Sequence, residues 1–397
     1  MRNFFCSYLL IALTLLPKFA QAEILKDVVV TGNKRTTKEA ILLHGRIRTG
    51  ADLSRKDLDE IVENLKRINQ IHVKKTEFTD GILHIEIEDK WTLFPVPMIT
   101  QSGNYYNRGI LLYEDNVFGT LGTLAPGISW SNDHLNAILY YQDESLFTPN
   151  TGIKVLLLRK SELVEFKRND TAVDTHESQY DSVLITPNYL YENQVFKAGP
   201  LYTFKKIFNS SGIEEVSDKS YGLFFRHHLN AFQALDIMYE GLVTTYDLYS
   251  IRGKGGKWYF RHEADAKWSV PLNSNFLNFG VHGHTVNDRS FLYTKIIGGE
   301  EGYRGYDKSS VPATSNAGVL AQYQQRLFDS VYLTPFYEFN NTRLILSAGG
   351  TTLNEHAVGL GVRYYFKKIS IPAVMFDVGR NLNDHSNHYL LNIGASL

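Results

Sequence analysis

The sequence has few of the residues on which several common functions depend. Its one cysteine, Cys6, lies close to the N-terminus, so the remainder of the chain has no cysteine for disulfides, thiol catalysis or metal binding. Lysine and arginine total 41 against 42 acidic residues, so no charge excess indicates a nucleic-acid partner. Beyond residue 22 the chain also has no apolar run long enough for a transmembrane helix.

The first 22 residues have the pattern of a secretory signal peptide. Arg2 supplies a positive start, residues 4–16 are mostly apolar, and Ala20-Gln21-Ala22 is a small-x-small cleavage site. Pro17 and Lys18 end the apolar stretch before it reaches the roughly 20 residues of a membrane-spanning helix. We therefore expect residues 1–22 to be removed rather than retained as an anchor.

Residues 23–90 predict a small α+β domain. Residues 24–31 are rich in β-branched side chains, and Thr36-x-x-Glu39 is a capping box for a short helix. Ser54-x-x-Asp57 opens a second helix with one apolar face. Strands at 71–79 and 82–88 flank Asp80-Gly81, a pair that favours tight hairpins. The predicted order is strand, helix, helix, strand, strand.

This segment resembles a POTRA domain through VVVTGNKRTTKEAI, GADLSRKDLDEIVENLKRI and GILHIEIEDK. The resemblance implies a periplasmic domain that receives unfolded client chains along an exposed strand edge, where unpaired backbone groups accept an extended chain. The implied edge residues are His72, Val73, Lys74, Thr76 and Phe78. A domain that serves only as a spacer or a docking module is the alternative.

Residues 91–397 show period-two patterning and abundant aromatic residues, with 24 Tyr and 23 Phe against 4 Met. Alternating apolar residues occupy three segments: Leu277, Phe279 and Val281; Val358, Leu360, Val362, Tyr364 and Phe366; and Tyr389, Leu391, Ile393, Ala395 and Leu397. A soluble β-sandwich has the same alternation, but the signal peptide and the aromatic content favour a transmembrane antiparallel β-barrel.

The segment Gly298-Gly299-Glu300-Glu301-Gly302-Tyr303-Arg304-Gly305-Tyr306 resembles the lumen loop of BamA/TamA-like and two-partner-secretion transporters. The resemblance implies a barrel of about sixteen strands. Residues 91–397 are long enough for sixteen strands of 9 to 11 residues and their loops. The resemblance also implies that Arg304 to Tyr306 contact the inner wall. Glu338 is the expected acidic partner of Arg304, and Gln322 stands where the family has a second acid. Glycine permits a tight reversal, and a buried arginine needs an anionic partner.

Both ends of the barrel segment extend the resemblance. Asn116-Val117-Phe118-Gly119 resembles the start of the family's barrel, and the last strand, with Tyr389, Leu391, Ile393 and Leu397, resembles the strand that the barrel-assembly machinery recognises. The family usually ends in Phe, whereas this chain ends in Leu397. The implied location is the outer membrane of a Gram-negative-type cell.

The expected function is insertion or translocation of client polypeptides, with outer-membrane lipid, unfolded clients and periplasmic or lipoprotein accessory factors as partners. An outer-membrane channel or a lipid or solute transporter is the alternative.

No serine–histidine pair is fixed by a motif, so the sequence does not predict an enzyme. We expect no cofactor, and His282-x-His284 lacks a third metal ligand, which favours structural histidines. Residues 253–257 predict a turn rather than a phosphate site.

Overall fold

The computed structural model describes residues 23–394 except 67, 69, 133, 169–170, 210–212, 236–237, 289–291, 300–301, 309, 347–348 and 366–371. The described residues divide into two units. One contains the chain up to Trp91 together with Phe118–Leu121, and the other contains Thr92–Val117 and the chain from Gly122 onward. The predicted signal peptide and Leu397 lie outside the described residues. None of the described helices is long and apolar enough to cross a membrane.

The first unit has the predicted order of elements with two additional strands, because the first predicted strand is divided in two and a short strand precedes the second helix. Its elements are β1 (Glu23–Ile24), β2 (Asp27–Thr31), α1 (Lys38–His44), β3 (Asp52–Leu53), α2 (Arg55–Lys66), β4 (Ile71–Thr79) and β5 (Ile82–Asp89). β2 is parallel to β5, and β4 is antiparallel to β5, in the sheet order β2-β5-β4. Both helices contribute side chains to one apolar core with β2 and β5, which includes Val28, Ile41, Leu65, Leu83 and Ile85.

The single strand predicted for residues 24–31 is wrong, because the chain changes partner within it. β1 pairs with β3, a short strand that the sequence did not indicate. Leu25 then donates its backbone N–H to the carbonyl of Ala51, whereas Lys26 donates to the carbonyl of Gly81 in the β4–β5 turn. The two-residue break thus carries the chain from one ladder to another.

The cap of α1 is one residue later than predicted. Thr37, not Thr36, accepts the hydrogen bond from the backbone N–H of Ala40. Thr36 instead donates its hydroxyl to Asp89, which also accepts the backbone N–H groups of Lys34 and Arg35. Burial raises the pKa of Asp89, but these hydrogen bonds outweigh it and hold the pKa below its usual value of 3.8. Asp89 therefore fixes the turn after β2 to the end of β5.

The other local predictions in this unit are confirmed. Asp57 accepts hydrogen bonds from the hydroxyl and the backbone N–H of Ser54, and Ser54 in turn accepts the N–H of Asp57, as in a capping box. Asp80 and Gly81 have φ values of 54° and 79°, the left-handed backbone of a tight hairpin turn between β4 and β5.

The second unit is a closed antiparallel barrel of sixteen strands among its described residues. The strands are β6 (Leu93–Ser102), β7 (Tyr105–Val117), β8 (Gly122–Ser131), β9 (His134–Thr148), β10 (Thr151–Arg168), β11 (Thr171–Tyr191), β12 (Gln194–Asn209), β13 (Glu214–Leu235), β14 (Met238–Arg252), β15 (Trp258–Leu272), β16 (Asn275–Val286), β18 (Val311–Phe328), β19 (Val331–Leu346), β20 (Gly349–Tyr365), β21 (Pro372–Asn381) and β22 (Asn387–Gly394). A three-residue strand, β17 (Lys295–Ile297), pairs with the start of β18. Pairing of β22 with β6 closes the ring.

Several strands are longer than the predicted 9 to 11 residues, and β13 reaches 22 residues. Hairpins such as β10–β11 stay paired along nearly their whole length, so the ladder continues past the length that a bilayer requires. The motif at residues 116–119 lies at the turn between β7 and β8, whereas the first barrel strand is β6. Residues 254–256 form a short 3₁₀ turn, in agreement with the predicted turn.

The predicted alternation divides the barrel wall into two faces. Val281, Val358, Leu360, Val362 and Tyr364 are exposed on one face. Residues at alternate positions of the same strands face the opposite way, and His282, His284, Arg363 and Tyr365 among them are buried. An apolar exposed face with buried polar residues behind it suits a lipid environment around the barrel and a polar lumen.

Candidate functional site

In the connection between β16 and β18, residues 287–310, most of the described residues are buried, and β17 is the only regular element that the structure describes there. Gly298 and Gly299 have φ values of 129° and 68°, so the chain reverses through backbone conformations that favour glycine. Gly299 donates its N–H to the carbonyls of Tyr303 and Tyr306, which closes the reversal. The glycine pair therefore shapes a compact turn that presents Arg304.

Arg304 and Glu338 are in direct contact. Arg304 Nε donates to Glu338 Oε1 at 2.5 Å, and the Arg304 backbone N–H donates to Glu338 Oε2 at 2.8 Å. The backbone N–H of Gly302 adds a third hydrogen bond to Oε1 at 2.9 Å. Both side chains are at most 1% exposed. Glu338, on β19, thus binds the turn through its backbone as well as through the guanidinium.

Two further strands contact the same guanidinium. Arg304 Nη2 donates to Gln322 Oε1 on β18 at 3.3 Å, and Nη1 lies 3.8 Å from Asp377 Oδ2 on β21. Its central carbon lies 3.5 Å from the centre of the Phe336 ring, a cation–π contact. Asp377 also receives two hydrogen bonds from Arg363, at 2.6 and 2.9 Å. Arg304, Arg363, Glu338 and Asp377, hereafter the buried charge cluster, balance two cations with two anions.

The residues on either side of Arg304 fit closely against the wall. Tyr303 donates its hydroxyl to Asn316 at 2.7 Å, and its ring lies 4.4 Å from that of His282. A Cβ atom on Gly379 would lie 2.5 Å from the Arg304 carbonyl oxygen, so glycine is required on β21 at this point. Tyr306 packs in an apolar cluster with Ile297, Val311, Ala313, Leu344 and Leu353.

The structure therefore brings together Gly298, Gly299, Arg304, Gly305, Tyr306, Glu338 and Gln322. Gly305 lies beside Ala357 on β20. Sequence reasoning missed Asp377 and Arg363. A signal was present at Asp377, which is a single acid within the otherwise apolar stretch Val374–Val378 of β21, but only the fold aligns it with Arg304.

The remaining candidate residues lie elsewhere. Among the described strands, β4 pairs with β5 alone, so His72, Val73, Lys74, Thr76 and Phe78 occupy a sheet edge. A register irregularity at residues 73–75 and the ion pair of Lys74 with Glu88 at 3.1 Å mark this edge. Within β22, Tyr389 is exposed and Leu391 and Ile393 are half-buried on the same face.

The two histidines of β16 have structural partners. His282 Nε2 is 2.9 Å from the Asn340 side-chain oxygen, and His284 Nε2 is 3.2 Å from the Ala313 carbonyl oxygen. In the described part of the chain, no three metal-ligating side chains lie close enough together to hold an ion.

A scan against protein-family models finds no match to this chain, and a search of curated proteins finds none either. Solved structures do match. BamA from Haemophilus ducreyi lacking POTRA domains 1–3 is 13% identical, with a TM-score of 0.66 over 93% of this chain and 84% of that one. CdiB from Acinetobacter baumannii is 15% identical (TM-score 0.67; 94% and 74% covered), and CdiB from Escherichia coli is 14% identical (0.64; 94% and 77%). The chain therefore has the fold of the BamA and CdiB barrels.

Proposed function

We propose that this protein is an outer-membrane transporter that inserts or translocates client polypeptides without covalent chemistry. The observation that carries the proposal is the anchoring of Arg304, which joins the β16–β18 connection to three wall strands through Glu338, Gln322 and Asp377. Burying charges costs free energy, which excellent geometry has to offset, so the connection is specified to lie against the wall. A chain segment held against the inner wall in this way obstructs conduction, which favours a transporter over a passive pore. The shared fold with BamA and CdiB supports the same reading.

In this proposal the first unit is a periplasmic POTRA-like domain, and residues 1–22 are a cleaved signal peptide. The unit's element order and its edge strand β4 support the assignment. The structural match to BamA covers 93% of the chain, which is more than the barrel unit alone supplies. Client chains bind β4 by adding a strand, because its outward backbone groups accept an extended segment of any sequence.

The β22–β6 seam is the proposed exit toward the lipid. Within the described residues, β22 and β6 pair over four positions, from Leu391 with Gln101 to Gly394 with Met98. The neighbouring β6–β7 pair has ten. Pro95 and Pro97 of β6 lack a backbone N–H, so this strand has fewer donors for its partner. Among the described residues, this ladder has the fewest pairs of any two neighbours among the sixteen barrel strands, so its separation breaks the fewest of the described ladder hydrogen bonds.

Photo-crosslinking in cells tests the proposal, with a probe amino acid at Val73 or Lys74 of β4. We expect adducts with unfolded outer-membrane or secreted chains, identified by mass spectrometry. A probe at Glu63, an exposed position on α2, is the matched control and should give few such adducts. Adducts confined to periplasmic or peptidoglycan partners would refute client capture and favour a channel or a lipid or solute transporter with a docking module.

A further inference from the structure

The β16–β18 connection contacts both strands of the β22–β6 seam just beyond the turn that holds Arg304. Asp307 Oδ1 lies 3.1 Å from His388 Nδ1 on β22. The next residue, Lys308, donates its backbone N–H to the Ser102 hydroxyl on β6 at 2.9 Å. Two consecutive residues thus bridge the two strands that close the barrel.

These contacts lie where the backbone ladder of the seam has ended. The ladder stops at Leu391 with Gln101, whereas β22 begins four residues earlier, at Asn387. His388 and Ser102 therefore flank a stretch in which β22 and β6 share no ladder pair among the described residues. The bridge through Asp307 and Lys308 connects the two strands there, together with the hydrogen bond from the Gln101 side chain to the Tyr389 hydroxyl.

The bridge is built on a rigid support. Ser310 donates its hydroxyl to the Asp307 carbonyl at 2.6 Å and its backbone N–H to Ile297 of β17. Ser102 is fully buried. A Cβ atom on Gly103 would lie 2.1 Å from the Asp307 carboxylate, so any side chain at the position after β6 would clash with Asp307. Neither end of the bridge can move far without breaking these contacts.

The surroundings of His388 exclude a catalytic role for the same residues. Asp307, His388 and Ser386 are in the order of a hydrolase triad, with His388 Nε2 2.7 Å from the Ser386 hydroxyl. That hydroxyl also lies 2.5 Å from Asp384 Oδ1. The Ser386 hydroxyl donates its proton to Asp384, so it does not donate that proton to His388, which would have to accept it to activate the serine. The chain of hydrogen bonds holds His388 in place and leaves no activated nucleophile.

We propose that Asp307 and Lys308 form a clamp that holds the β22–β6 seam closed, and that the clamp must release before the strands separate. The inference rests on the proposed function, since it concerns the exit of clients through the seam. Because Arg304 docks the same connection on β18, β19 and β21, the clamp ties the state of the buried charge cluster to the state of the seam.

Hydrogen exchange on the purified full chain in detergent, without a client, tests the clamp. We expect Asp307→Ala to raise the exchange rate of β6 and β22 backbone amides about tenfold, as for loss of one charge-assisted hydrogen bond. Ser102→Ala should raise the exchange rate of the same amides, because it removes the acceptor of the Lys308 N–H. Amides of the β12–β13 pair should be unchanged in both variants.

Asp329→Ala, at the exposed turn between β18 and β19, is the matched control and should leave the seam unchanged. His388→Ala combined with Asp307→Ala should add little to either single change, since both remove the same contact. Unchanged seam amides in Asp307→Ala and Ser102→Ala would overturn the clamp, as would an equal rise in all strands. Client transfer is measured separately, so a wild-type chain that moves no client refutes the proposed function without deciding the clamp.

Discussion

Arg304 contacts several wall residues at once. It contacts Glu338 through both its backbone and its side chain, and its guanidinium reaches Gln322 and lies on the Phe336 ring. A neutral side chain at this position would leave Glu338 buried without its cation. Removal of one member of a buried ion pair costs about 3–5 kcal/mol, so the connection should leave the wall before the barrel itself unfolds.

We therefore expect Arg304→Ala to impair client transfer while the barrel still assembles. Assembly is checked by migration of the unheated protein in gels, and function by the yield of client crosslinked or inserted. Arg326→Ala is the matched control, because Arg326 forms an exposed ion pair with Asp329. Normal transfer by Arg304→Ala would refute the role of the connection.

Asp89 makes the stability of the first unit depend on pH. Its folded-state pKa is lowered, against the effect of burial, by hydrogen bonds from Thr36, Arg35 and Lys34. A lowered pKa means that the stabilisation is present above the usual value of 3.8, which applies to the unfolded state, and is lost as the pH falls through the folded-state value. Asp89→Asn should lower the urea midpoint at neutral pH and flatten its loss in acid.

The measurement is urea unfolding of the full chain followed by its helical circular dichroism, because the helices α1 and α2 both belong to the first unit. Asp59→Asn, at an exposed position of α2, is the control and should keep the wild-type pH profile. The same loss of midpoint in acid for Asp89→Asn and wild type would show that Asp89 is not the titrating group.

At the level of elements, the sequence predicted the caps and turns that depend only on neighbouring residues. The Ser54–Asp57 capping box and the Asp80-Gly81 turn are set by residues within four positions of each other, and both are confirmed. The cap of α1 was placed one residue early because Thr36 and Thr37 both suit it. The choice is made by Asp89, 53 residues away in the chain, which binds Thr36 and leaves Thr37 to the helix.

The candidate site likewise contains residues that a sequence motif identifies and residues that only the fold brings together. Glu338 was identified through the resemblance carried by the Arg-Gly-Tyr motif, and the structure places it against Arg304. Asp377 and Arg363 have no motif, and their approach to Arg304 depends on the register of β20 with β21. The register of strands in a closed barrel depends on all of its hairpins together, so it cannot be predicted from a short segment of sequence.

Strand β16 offers a test of which face meets lipid. Val281 is 58% exposed, whereas the next residue, His282, is buried. An arginine on the lipid face costs roughly 2–4 kcal/mol near the bilayer midplane. Val281→Arg should therefore lower the temperature at which the barrel unfolds in lipid vesicles, as followed by gel migration. Ser274→Arg, in the exposed β15–β16 turn, should have little effect. Equal stability of both variants would argue against lipid contact at Val281.

At the scale of the whole molecule, the barrel joins two features that a static pore does not combine. Among the described residues, its other fifteen pairs of neighbouring strands share seven or more ladder positions, whereas the closure at β22–β6 has four. A barrel without an edge is stable because every backbone group is paired, so a short closing ladder lowers the free energy needed to expose an edge there. Such an edge can template the strands of another chain.

Under the proposed function, the β22–β6 seam permits an experiment that distinguishes insertion from secretion. Ile99 of β6 and Ile393 of β22 are directly paired, so cysteines at both positions can form a disulfide across the seam. We expect the oxidised Ile99→Cys/Ile393→Cys chain, in a Cys6→Ser background, to stop inserting clients and to recover on reduction. A Phe279→Cys/Ala321→Cys pair between β16 and β18 is the matched control and should insert clients in either redox state.

A locked chain that still delivers clients across the membrane would show passage through the lumen, because a closed seam gives no route into lipid. That outcome would refute insertion and retain translocation. Loss of insertion in the locked chain, with full activity after reduction, requires the seam to open during each transfer. The closure at β22–β6 would then be the functional element of the barrel, and the connection that carries Arg304 would act on clients through it.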